Sequence, residues 1–253
     1  MHPLTAQLTE RKANGEKLAV LTAYDYPTAR LLDEAGLDLI LVGDSLGMVV
    51  LGLPDTTGVT MNMMLHHTAA VRRAVKRAPV IVDLPVWSYA TPDLALHNAK
   101  RLVRAGADAV KLEGGVSMVG QVSAITEAGI AFVGHIGMLP QSVRLEGGYK
   151  KKGKTAADAQ QLLKDAQALQ EAGASAIVIE STVGEVARQI SQALKIPTIG
   201  IGAGADCDGQ VLVSPDLIGG FPWFKPPFAT SHANVAQEIT RATRTYVEQV
   251  KGK

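Results

Sequence analysis

The sequence predicts a (β/α)8 TIM barrel of the α/β class, formed by one domain over residues 1–253 with an extra N-terminal helix. Eight short apolar runs alternate with longer segments of helical period, and no linker or change in composition divides the chain. Strands of a parallel sheet that helices cover on both faces read as continuous apolar runs, as these do. A doubly wound fold of two domains is the alternative at this length, and the missing linker argues against it.

The eight apolar runs are rich in Val, Ile, Leu and Ala and are short, as barrel strands are. Together with the intervening helices they give eight β/α repeats, the number that closes a parallel sheet into this barrel. The predicted strands are Leu18–Ala23, Leu37–Gly43, Pro79–Leu84, Ala107–Leu112, Ile130–Gly134, Ala174–Ile179, Pro197–Ile201 and Gln210–Val213.

The segments between the runs carry helix signals at both ends. In "TPDLALHNAKRLVRAGAD" a threonine cap precedes a proline in the first turn, an apolar stripe follows, and Gly106 closes the segment. The segments that end at Gly36 and Gly173 repeat this design, so each glycine is predicted to supply a left-handed helix end. Thr5–Asn14 is predicted as the extra helix and Ala233–Val250 as a long amphipathic helix, the eighth of the barrel.

Two connections that follow strands are too long to be simple βα turns. They are Ser45–Thr60 and Met138–Lys154, and the second is rich in Gly and Lys. Because the active sites of such barrels lie on the loops at the C-terminal ends of the strands, long loops there predict a functional role.

The overall composition is that of an ordinary globular protein and excludes several classes of function. Of the 253 residues, 47% are hydrophobic and 19% are charged, with a formal net charge of +1, which gives no electrostatic argument for binding nucleic acid or an anionic membrane. Cys207 is the only cysteine, which excludes an intrachain disulfide and CxxC chemistry. No signal peptide opens the chain and no apolar run approaches membrane-spanning length, so a cytoplasmic setting is expected.

Ionisable side chains stand at the predicted C-terminal ends of five strands, where barrel enzymes place their chemistry. Taken singly, each has a structural explanation, such as a helix cap, a lysine at the rim or a hydrogen-bonded core histidine. Chance rarely puts such a group on five successive strands, so we predict that the side chains converge at one mouth. They occur in "VGDS", "IVDLP", "VKLEGG", "VGHIG" and "VIES" and are Asp44, Asp83, Lys111, Glu113, His135 and Glu180.

Three of these groups, Asp44, Asp83 and Glu113, form an oxygen-rich set without cysteine, which suits Mg²⁺ or Mn²⁺ better than zinc. Mg²⁺ usually takes further ligands from water and substrate, and a 2-oxo acid offers two such oxygens, one from its carboxylate and one from its ketone. A ketone bound in this way is polarised, and the neighbouring C–H becomes acidic. Lys111 is predicted to neutralise the carboxylate or the enolate oxygen of the substrate. Glu180 is predicted to act as the base once burial raises its pKa.

Specific motifs run through nearly the whole chain, from "LTAYDYPTARLLDEAG" to "GFPWFKPPF". They are "TAYDYP", "LVGDSLGMVVLG", "HHTAAVRR", "VDLPVWSYAT", "AGADAVKLEGG", "GHIGMLPQS", "GGYKKKGK", "IVIES" and "IPTIGIGAG". In these motifs the chain resembles the ketopantoate hydroxymethyltransferase (3-methyl-2-oxobutanoate hydroxymethyltransferase) family. The resemblance implies a (β/α)8 barrel in a large homo-oligomer, a decamer, and a reaction that depends on Mg²⁺. In that reaction a hydroxymethyl group passes from 5,10-methylenetetrahydrofolate to 3-methyl-2-oxobutanoate and gives 2-dehydropantoate, for pantothenate biosynthesis.

The resemblance also implies roles for the residues that match the family motifs. The chain departs from the family pattern after the eighth strand, where Pro215–Asp216 stand in place of a common His-Asp pair. The implied roles are metal and substrate binding for Asp44 and Asp83, a further metal position for Glu113, substrate contacts for Ser45, Lys111 and His135, and the proton acceptor for Glu180.

Other functions are compatible with the barrel and its paired aspartates. One is a metal-dependent aldolase, lyase or phosphonomutase-like enzyme for related 2-oxo acids, against which "GHIGMLPQS" and "GGYK" argue. A Schiff-base aldolase that uses Lys111 is a variant of it. A third, non-catalytic function is a barrel retained only for binding or assembly, and the presence of all three metal carboxylates argues against it.

Overall fold

The computed structural model describes residues 2–252, and its strands form the closed parallel barrel that the sequence predicts. Neighbours in the chain are neighbours in the sheet, in the order β1 to β8. All eight predicted strands are confirmed, with ends displaced by a few residues. The strands are β1 Leu18–Thr22, β2 Leu39–Val42, β3 Val80–Asp83, β4 Ala109–Glu113, β5 Ala131–Gly137, β6 Ala176–Glu180, β7 Thr198–Ile201 and β8 Gly209–Leu212.

Helices separate the strands from β1 to β7, but residues 202–208 join β7 directly to β8 without a helix, so the seventh of the eight predicted β/α repeats lacks its helix. The extra N-terminal helix and the long C-terminal helix are both present. Short 3-10 turns lie at Thr56–Gly58, Val116–Met118 and Pro140–Ser142, two of them inside the long loops. The helices are α1 Pro3–Ala13, α2 Tyr26–Glu34, α3 Leu46–Val49, α4 Met61–Ala74, α5 Pro92–Ala105, α6 Val119–Glu127, α7 Val143–Glu146, α8 Ala156–Glu171, α9 Gly184–Ala193, α10 Ser214–Ile218 and α11 Val235–Lys251.

The repeated turn between a helix and the next strand follows the predicted design. Gly36, Gly106 and Gly173 have φ values of +90°, +113° and +95°, which is the left-handed region that favours glycine. At Gly106 a β-carbon would also collide with the side chain of Arg72. At the other end of α5, the hydroxyl of Thr91 accepts the backbone N–H of Leu94, so the predicted cap is confirmed.

Two apolar layers result from the alternation of side chains along each strand. On β2, Leu39 and Leu41 belong to a cluster inside the barrel, whereas Ile40 and Val42 belong to the cluster between the sheet and the helices. Leu4 and Leu8 of α1 join the inner cluster. The hydroxyl of Thr5 also contacts that of Ser175, which directly precedes β6, at 2.6 Å. Helix α1 therefore closes the N-terminal end of the barrel and leaves the C-terminal end for a site.

The chain divides into two compact units, one running up to Val211 and the other starting at Leu212. The second unit contains α10 and α11, and no residue of α11 is buried. The predicted extent of a single domain over residues 1–253 stays a prediction. Among residues 2–252, no helix combines the length and the apolar character that crossing a bilayer requires.

A buried carboxylate supports the entry into β3, the strand that carries one of the site residues. Asp33, at the end of α2, accepts the backbone N–H groups of Lys76, Arg77 and Ala78 at 2.8–3.3 Å. Burial opposes ionisation of this group, but the three backbone hydrogen bonds outweigh burial and lower the pKa of Asp33. The charged carboxylate thus fixes the turn between α4 and β3.

Replacing Asp33 by alanine leaves those three backbone donors without their acceptor. We expect Asp33→Ala to lower the free energy of unfolding by about 1–3 kcal/mol, the cost of unsatisfied buried hydrogen-bonding groups. The measurement is urea unfolding at neutral pH, followed by the shift of the midpoint.

The matched control is Glu34→Ala, which removes the neighbouring carboxylate. Glu34 is exposed and pairs with the equally exposed Arg30 across one helical turn. Its loss is expected to cost no more than about 0.5 kcal/mol. An equal effect of the two substitutions would contradict the role assigned to Asp33.

Candidate active site

The predicted side chains meet at the C-terminal end of the barrel because the inward-facing alternation continues to the strand ends. On β4 the inner-cluster residue Ala109 is followed at two-residue steps by Lys111 and Glu113. On β6, Ala176 and Val178 precede Glu180 in the same way. The register places Asp83 beside Lys111 and Glu113 beside His135. The charged groups are thus the next layers above the inner apolar core.

Lys111 lies at the centre of the group. Its Nζ is 2.9 Å from Oδ1 of Asp83 and 3.2 Å from Nδ1 of His135, and its side chain is only 5% exposed. Burial opposes the positive charge, but the carboxylates of Asp83, Glu113 and Asp44 outweigh burial and raise the pKa of Lys111. The ammonium is therefore charged while almost fully withdrawn from water.

His135 is neutral in these surroundings and connects two parts of the site. Burial, and then the charge of Lys111, lower the pKa of the imidazole. Because Nδ1 faces the ammonium of Lys111, the hydrogen-bond network assigns the ring proton to Nε2. Nε2 lies 3.1 Å from Oε2 of Glu180, and Nδ1 lies 3.5 Å from Oε1 of Glu113.

The site contains more carboxylates than its one lysine can neutralise. Burial, together with the charges of Asp83 and Glu113, raises the pKa of Asp44 well above its ordinary value. Burial raises the pKa of Glu113 to about 8, and it also raises the pKa of Glu180. Such mutual repulsion in a buried site is the electrostatic condition in which a dication is favoured.

Asp44 and Asp83 are adjacent and have the chemistry that Mg²⁺ requires. The backbone N–H of Asp44 donates to Oδ2 of Asp83 at 3.0 Å. The other oxygen, Oδ1, is buried, pairs with the ammonium of Lys111 at 2.9 Å and meets no further donor among residues 2–252. In the same part of the chain, no three His, Cys, Asp or Glu side chains are arranged to hold a metal by themselves. Since Mg²⁺ is usually held by one or two carboxylates with water and substrate, this pair fits it.

A glycine at the end of β5 allows Glu180 to take its place. Gly137 has a φ of +94°, and a β-carbon on it would collide with the carbonyl oxygen of Glu180. The next residue, Met138, donates its backbone N–H to that same carbonyl at 2.9 Å. The start of the long loop is therefore attached to the strand end that carries Glu180.

Two further residues of the site were missed by the sequence analysis. Gln141 lies in the loop after β5 and donates its side-chain amide to Oδ2 of Asp44 at 2.8 Å. Its amide oxygen accepts the hydroxyl of Tyr89. The only signal for Gln141 was its presence in "GHIGMLPQS", and Tyr89 is part of "VDLPVWSYAT". Ser45, which was predicted, lies with its Oγ 2.8 Å from the hydroxyl of Tyr24.

The two long loops are joined at the mouth of the site. Arg144, from the loop after β5, lies with its Nε 2.7 Å from Oδ2 of Asp55 in the loop after β2. Hydrogen bonding by Arg144, supported by Thr57, lowers the pKa of Asp55 to about 2. Lys152, in the lysine-rich part of the second loop, pairs with Glu146 at 2.6 Å. Both predicted functional loops thus lie on the side of the barrel that carries the carboxylates.

Comparison with known proteins identifies close relatives. The family model described as ketopantoate hydroxymethyltransferase matches residues 4–253. A 3-methyl-2-oxobutanoate hydroxymethyltransferase of Acetivibrio thermocellus is 52% identical over 249 residues, covering 98% of this chain and 88% of the relative. Enzymes of the same name from Ignicoccus hospitalis and Moorella thermoacetica are each 51% identical, covering 96% and 97% of this chain and 93% and 92% of the relatives.

Solved structures with the same architecture are more distant in sequence. Phosphonopyruvate hydrolase in complex with oxalate and Mg²⁺ superimposes with a TM-score of 0.67 at 16% identity, covering 98% of this chain and 88% of that chain. A phosphoenolpyruvate phosphomutase from Streptomyces platensis subsp. rosaceus gives the same TM-score at 19% identity and the same coverage. At these identities the likeness shows the fold alone.

Removing the central ammonium is expected to destabilise the metal-free protein. Lys111→Met leaves buried carboxylates without their cation, which typically costs about 3–5 kcal/mol. Carboxyl groups whose pKa is raised by folding, such as Glu113, stabilise the fold below their unfolded pKa and lose that contribution as pH rises toward the folded value of about 8. The loss in Lys111→Met is therefore expected to be larger at about pH 8 than at about pH 5. Urea unfolding at both pH values, in the presence of EDTA, measures this loss of stability.

The control is the double variant Lys111→Met/Asp83→Asn, which removes the negative charge as well. It is expected to recover part of the stability at the higher pH, because one unpaired carboxylate is gone. A loss that is equal at both pH values would indicate lost packing rather than a lost ion pair.

Proposed function

The chain belongs to the ketopantoate hydroxymethyltransferase family, and we propose that it transfers a hydroxymethyl group to 3-methyl-2-oxobutanoate to form 2-dehydropantoate in pantothenate biosynthesis. The proposed one-carbon donor is 5,10-methylenetetrahydrofolate. The match over residues 4–253 and about 50% identity to relatives of that name support the assignment. The observation that carries it to this chain is the buried group of carboxylates around Lys111, which suits a small anionic 2-oxo acid and a dication.

Asp44 and Asp83 are the residues that we propose hold Mg²⁺, with Glu113 at a further metal position. The excess of buried carboxylates supports this assignment, as does Oδ1 of Asp83, which is buried and faces only the ammonium of Lys111 among residues 2–252. When bound, the ion supplies Lewis-acid polarisation of the substrate ketone. Glu113 accepts the backbone N–H of Gln141 at 3.0 Å, so one of its oxygens is already fixed by the protein.

We propose that the keto acid is bound by Lys111, Ser45 and His135. The ammonium of Lys111 is charged, buried and shared between Asp83 and His135, so it would attract the anionic keto acid once a bound dication offsets the surrounding carboxylates. It balances the negative charge of the substrate carboxylate or of the enolate oxygen. The hydroxyl of Ser45 and the ring of His135 supply hydrogen bonds that orient the substrate.

Glu180 is proposed to remove the proton from the carbon next to the ketone. Burial raises its pKa toward the range in which a carboxylate is an effective base at neutral pH. Its side chain is 14% exposed, against 3–5% for those of Asp83, Lys111, Glu113 and His135, so it is the more accessible of these groups. The proton passes to Glu180 and the electron pair moves to the ketone oxygen. The enolate carbon then forms a bond to the one-carbon unit, and the two bonds from that unit to the folate nitrogens break. One water supplies the hydroxyl group, and the nitrogens of the departing tetrahydrofolate take up the second water proton and the proton from Glu180.

We propose that the protein is a cytoplasmic homo-oligomer that acts on small molecules and not on nucleic acid or membranes. The near-zero net charge and the single cysteine support these expectations. Helix α11 supports self-association because its apolar side chains are exposed. Ile239, Tyr246 and Val250 recur at helical spacing and are 61%, 66% and 67% exposed. The family implies a decamer.

Deuterium exchange tests the enolisation step without the folate. With Mg²⁺ present, the protein is expected to exchange the proton on carbon 3 of 3-methyl-2-oxobutanoate in D2O, followed by proton NMR. EDTA is expected to abolish exchange, and Glu180→Gln to slow it about 10²- to 10⁴-fold, the usual contribution of a general base.

The matched control is Glu185→Gln, which removes an exposed glutamate of α9 that pairs with Arg188. Its exchange rate is expected to equal that of the unmodified protein. Undiminished exchange in Glu180→Gln would refute the base, and undiminished exchange in EDTA would refute the metal. Conversion of the keto acid without any folate would favour the aldolase or lyase alternative.

Light scattering tests the assembly. The protein is expected to have the mass of a decamer, and Ile239→Glu is expected to lower that mass because it places a charge on the apolar face of α11. The control is Arg244→Glu, which changes an exposed residue off that face. A monomer in solution, or the same mass for Ile239→Glu as for the control, would contradict the proposed assembly through α11.

A further inference from the structure

Gln141 makes four hydrogen bonds inside the site although it is not one of the predicted site residues. It is buried and lies in the 3-10 turn Pro140–Ser142 of the loop after β5. Its side-chain Nε2 donates to Oδ2 of Asp44 at 2.8 Å and to the carbonyl of Leu84 at 3.0 Å. Its backbone N–H donates to Oε2 of Glu113 at 3.0 Å, and its Oε1 accepts the hydroxyl of Tyr89. One residue is thus bonded to groups that follow β2 and β3 and to the end of β4.

The amide of Gln141 can satisfy its neighbours in only one orientation. Asp44 Oδ2 and the carbonyl of Leu84 are acceptors, so both N–H groups of Nε2 are required on that side. A flipped amide would put Oε1 against these two acceptors and leave Nε2 facing the phenol. Since burial, together with the charges of Glu113 and Asp44, raises the pKa of Tyr89, the phenol keeps its proton and donates to Oε1.

Tyr89 is itself held by a residue of α6. The side-chain amide of Gln121, in α6, donates to the backbone carbonyl of Tyr89 at 3.3 Å. The side chains of Gln121 and Gln141 are both buried. A continuous network therefore runs from α6 through Tyr89 and Gln141 to the carboxylate of Asp44, and buried networks of this kind fix the orientation of their members.

We propose that Gln141 is a positioning residue that orients the carboxylates of Asp44 and Glu113 toward the divalent cation and the keto acid, and that Tyr89 fixes the orientation of its amide. This inference rests on the proposed function, because it assumes that Asp44 serves the cation. Hydrogen bonds to a ligating carboxylate set its direction, and their removal typically costs 10- to 100-fold in metal affinity. The bond to Oδ2 takes up one oxygen of Asp44 and restricts rotation of the carboxylate. The affinity for the cation should therefore depend on a residue that does not contact it.

The test is binding of Mn²⁺ to the full-length protein, measured by the electron paramagnetic resonance signal of the free ion and independent of catalysis. Gln141→Met keeps the length of the side chain and removes its polar atoms. It is expected to weaken Mn²⁺ binding about 10- to 100-fold. Tyr89→Phe removes a single hydroxyl and is expected to weaken binding about two- to tenfold, which corresponds to one neutral hydrogen bond.

A surface glutamine supplies the matched control. Gln161 of α8 donates its side-chain amide to Oδ1 of Asp165 at 3.1 Å, the same type of bond in an exposed position. Gln161→Met is expected to bind Mn²⁺ as tightly as the unmodified protein. Thermal unfolding of each variant in EDTA, together with separate KM and kcat values, separates positioning from a general loss of structure. A positioning role predicts weaker binding in protein that is fully folded at the assay temperature.

The outcomes separate this inference from the function on which it rests. Unchanged Mn²⁺ affinity in folded Gln141→Met would overturn the positioning role and leave the proposed function intact. If Gln141→Met does not fold, unchanged Mn²⁺ affinity in Tyr89→Phe would overturn the positioning role instead. An unmodified protein that binds no Mn²⁺ at millimolar concentration would overturn both the positioning role and the metal assignment. Weaker binding in both variants, with Gln161→Met unchanged, would support the inference.

Discussion

The site depends on the charge balance around Lys111. Several carboxylates at the end of a barrel lose most of their hydration, and a buried carboxylate without a partner is unstable. One ammonium, 2.9 Å from Asp83, offsets part of this cost and remains charged because the carboxylates surround it. Burial, and then the charge of neighbouring carboxylates, keep the pKa of Asp44 and that of Glu113 high despite this one cation, and the remaining imbalance favours binding of a dication.

The barrel supplies both the burial and the convergence that create this imbalance. The two-residue alternation of the strands places Ala109 in the inner apolar layer and then directs Lys111 and Glu113 to the same interior. At the opposite end, Leu4 and Leu8 of α1 complete the inner apolar cluster. The charged layer therefore rests on a packed floor. Its members are held by strands, apart from Asp44, which follows the end of β2 by two residues, and this limits how far they can move to avoid one another.

The strands and most of the site could be predicted because they follow from local pattern. Apolar runs mark the strands, and in a barrel the residue that ends a run is also the residue at the mouth, so Asp83, Glu113 and Glu180 were identified from position alone. Gln141 and Tyr89 could not be, because they come from irregular loops where no periodicity fixes the direction of a side chain. The pairing of Lys111 with Asp83 also depends on the sheet register, which the sequence alone does not give. The amphipathic pattern of Ala233–Val250 predicted the helix α11, but the expectation that it is the eighth helix of the barrel did not anticipate that none of its residues is buried, because burial depends on tertiary packing.

The neutral His135 gives Glu180 surroundings unlike those of the carboxylates near Lys111. The ring has Lys111 near Nδ1 and Glu180 near Nε2, so it stands between the ammonium and the proposed base. Direct contact with the ammonium would stabilise the ionised form of Glu180 and lower its pKa, which would make it a weaker base. A hydrogen-bond donor without charge lowers the pKa less, and burial keeps it above its ordinary value. The arrangement therefore lets one small site contain carboxylates suited to binding a cation and a separate carboxylate suited to accepting a proton.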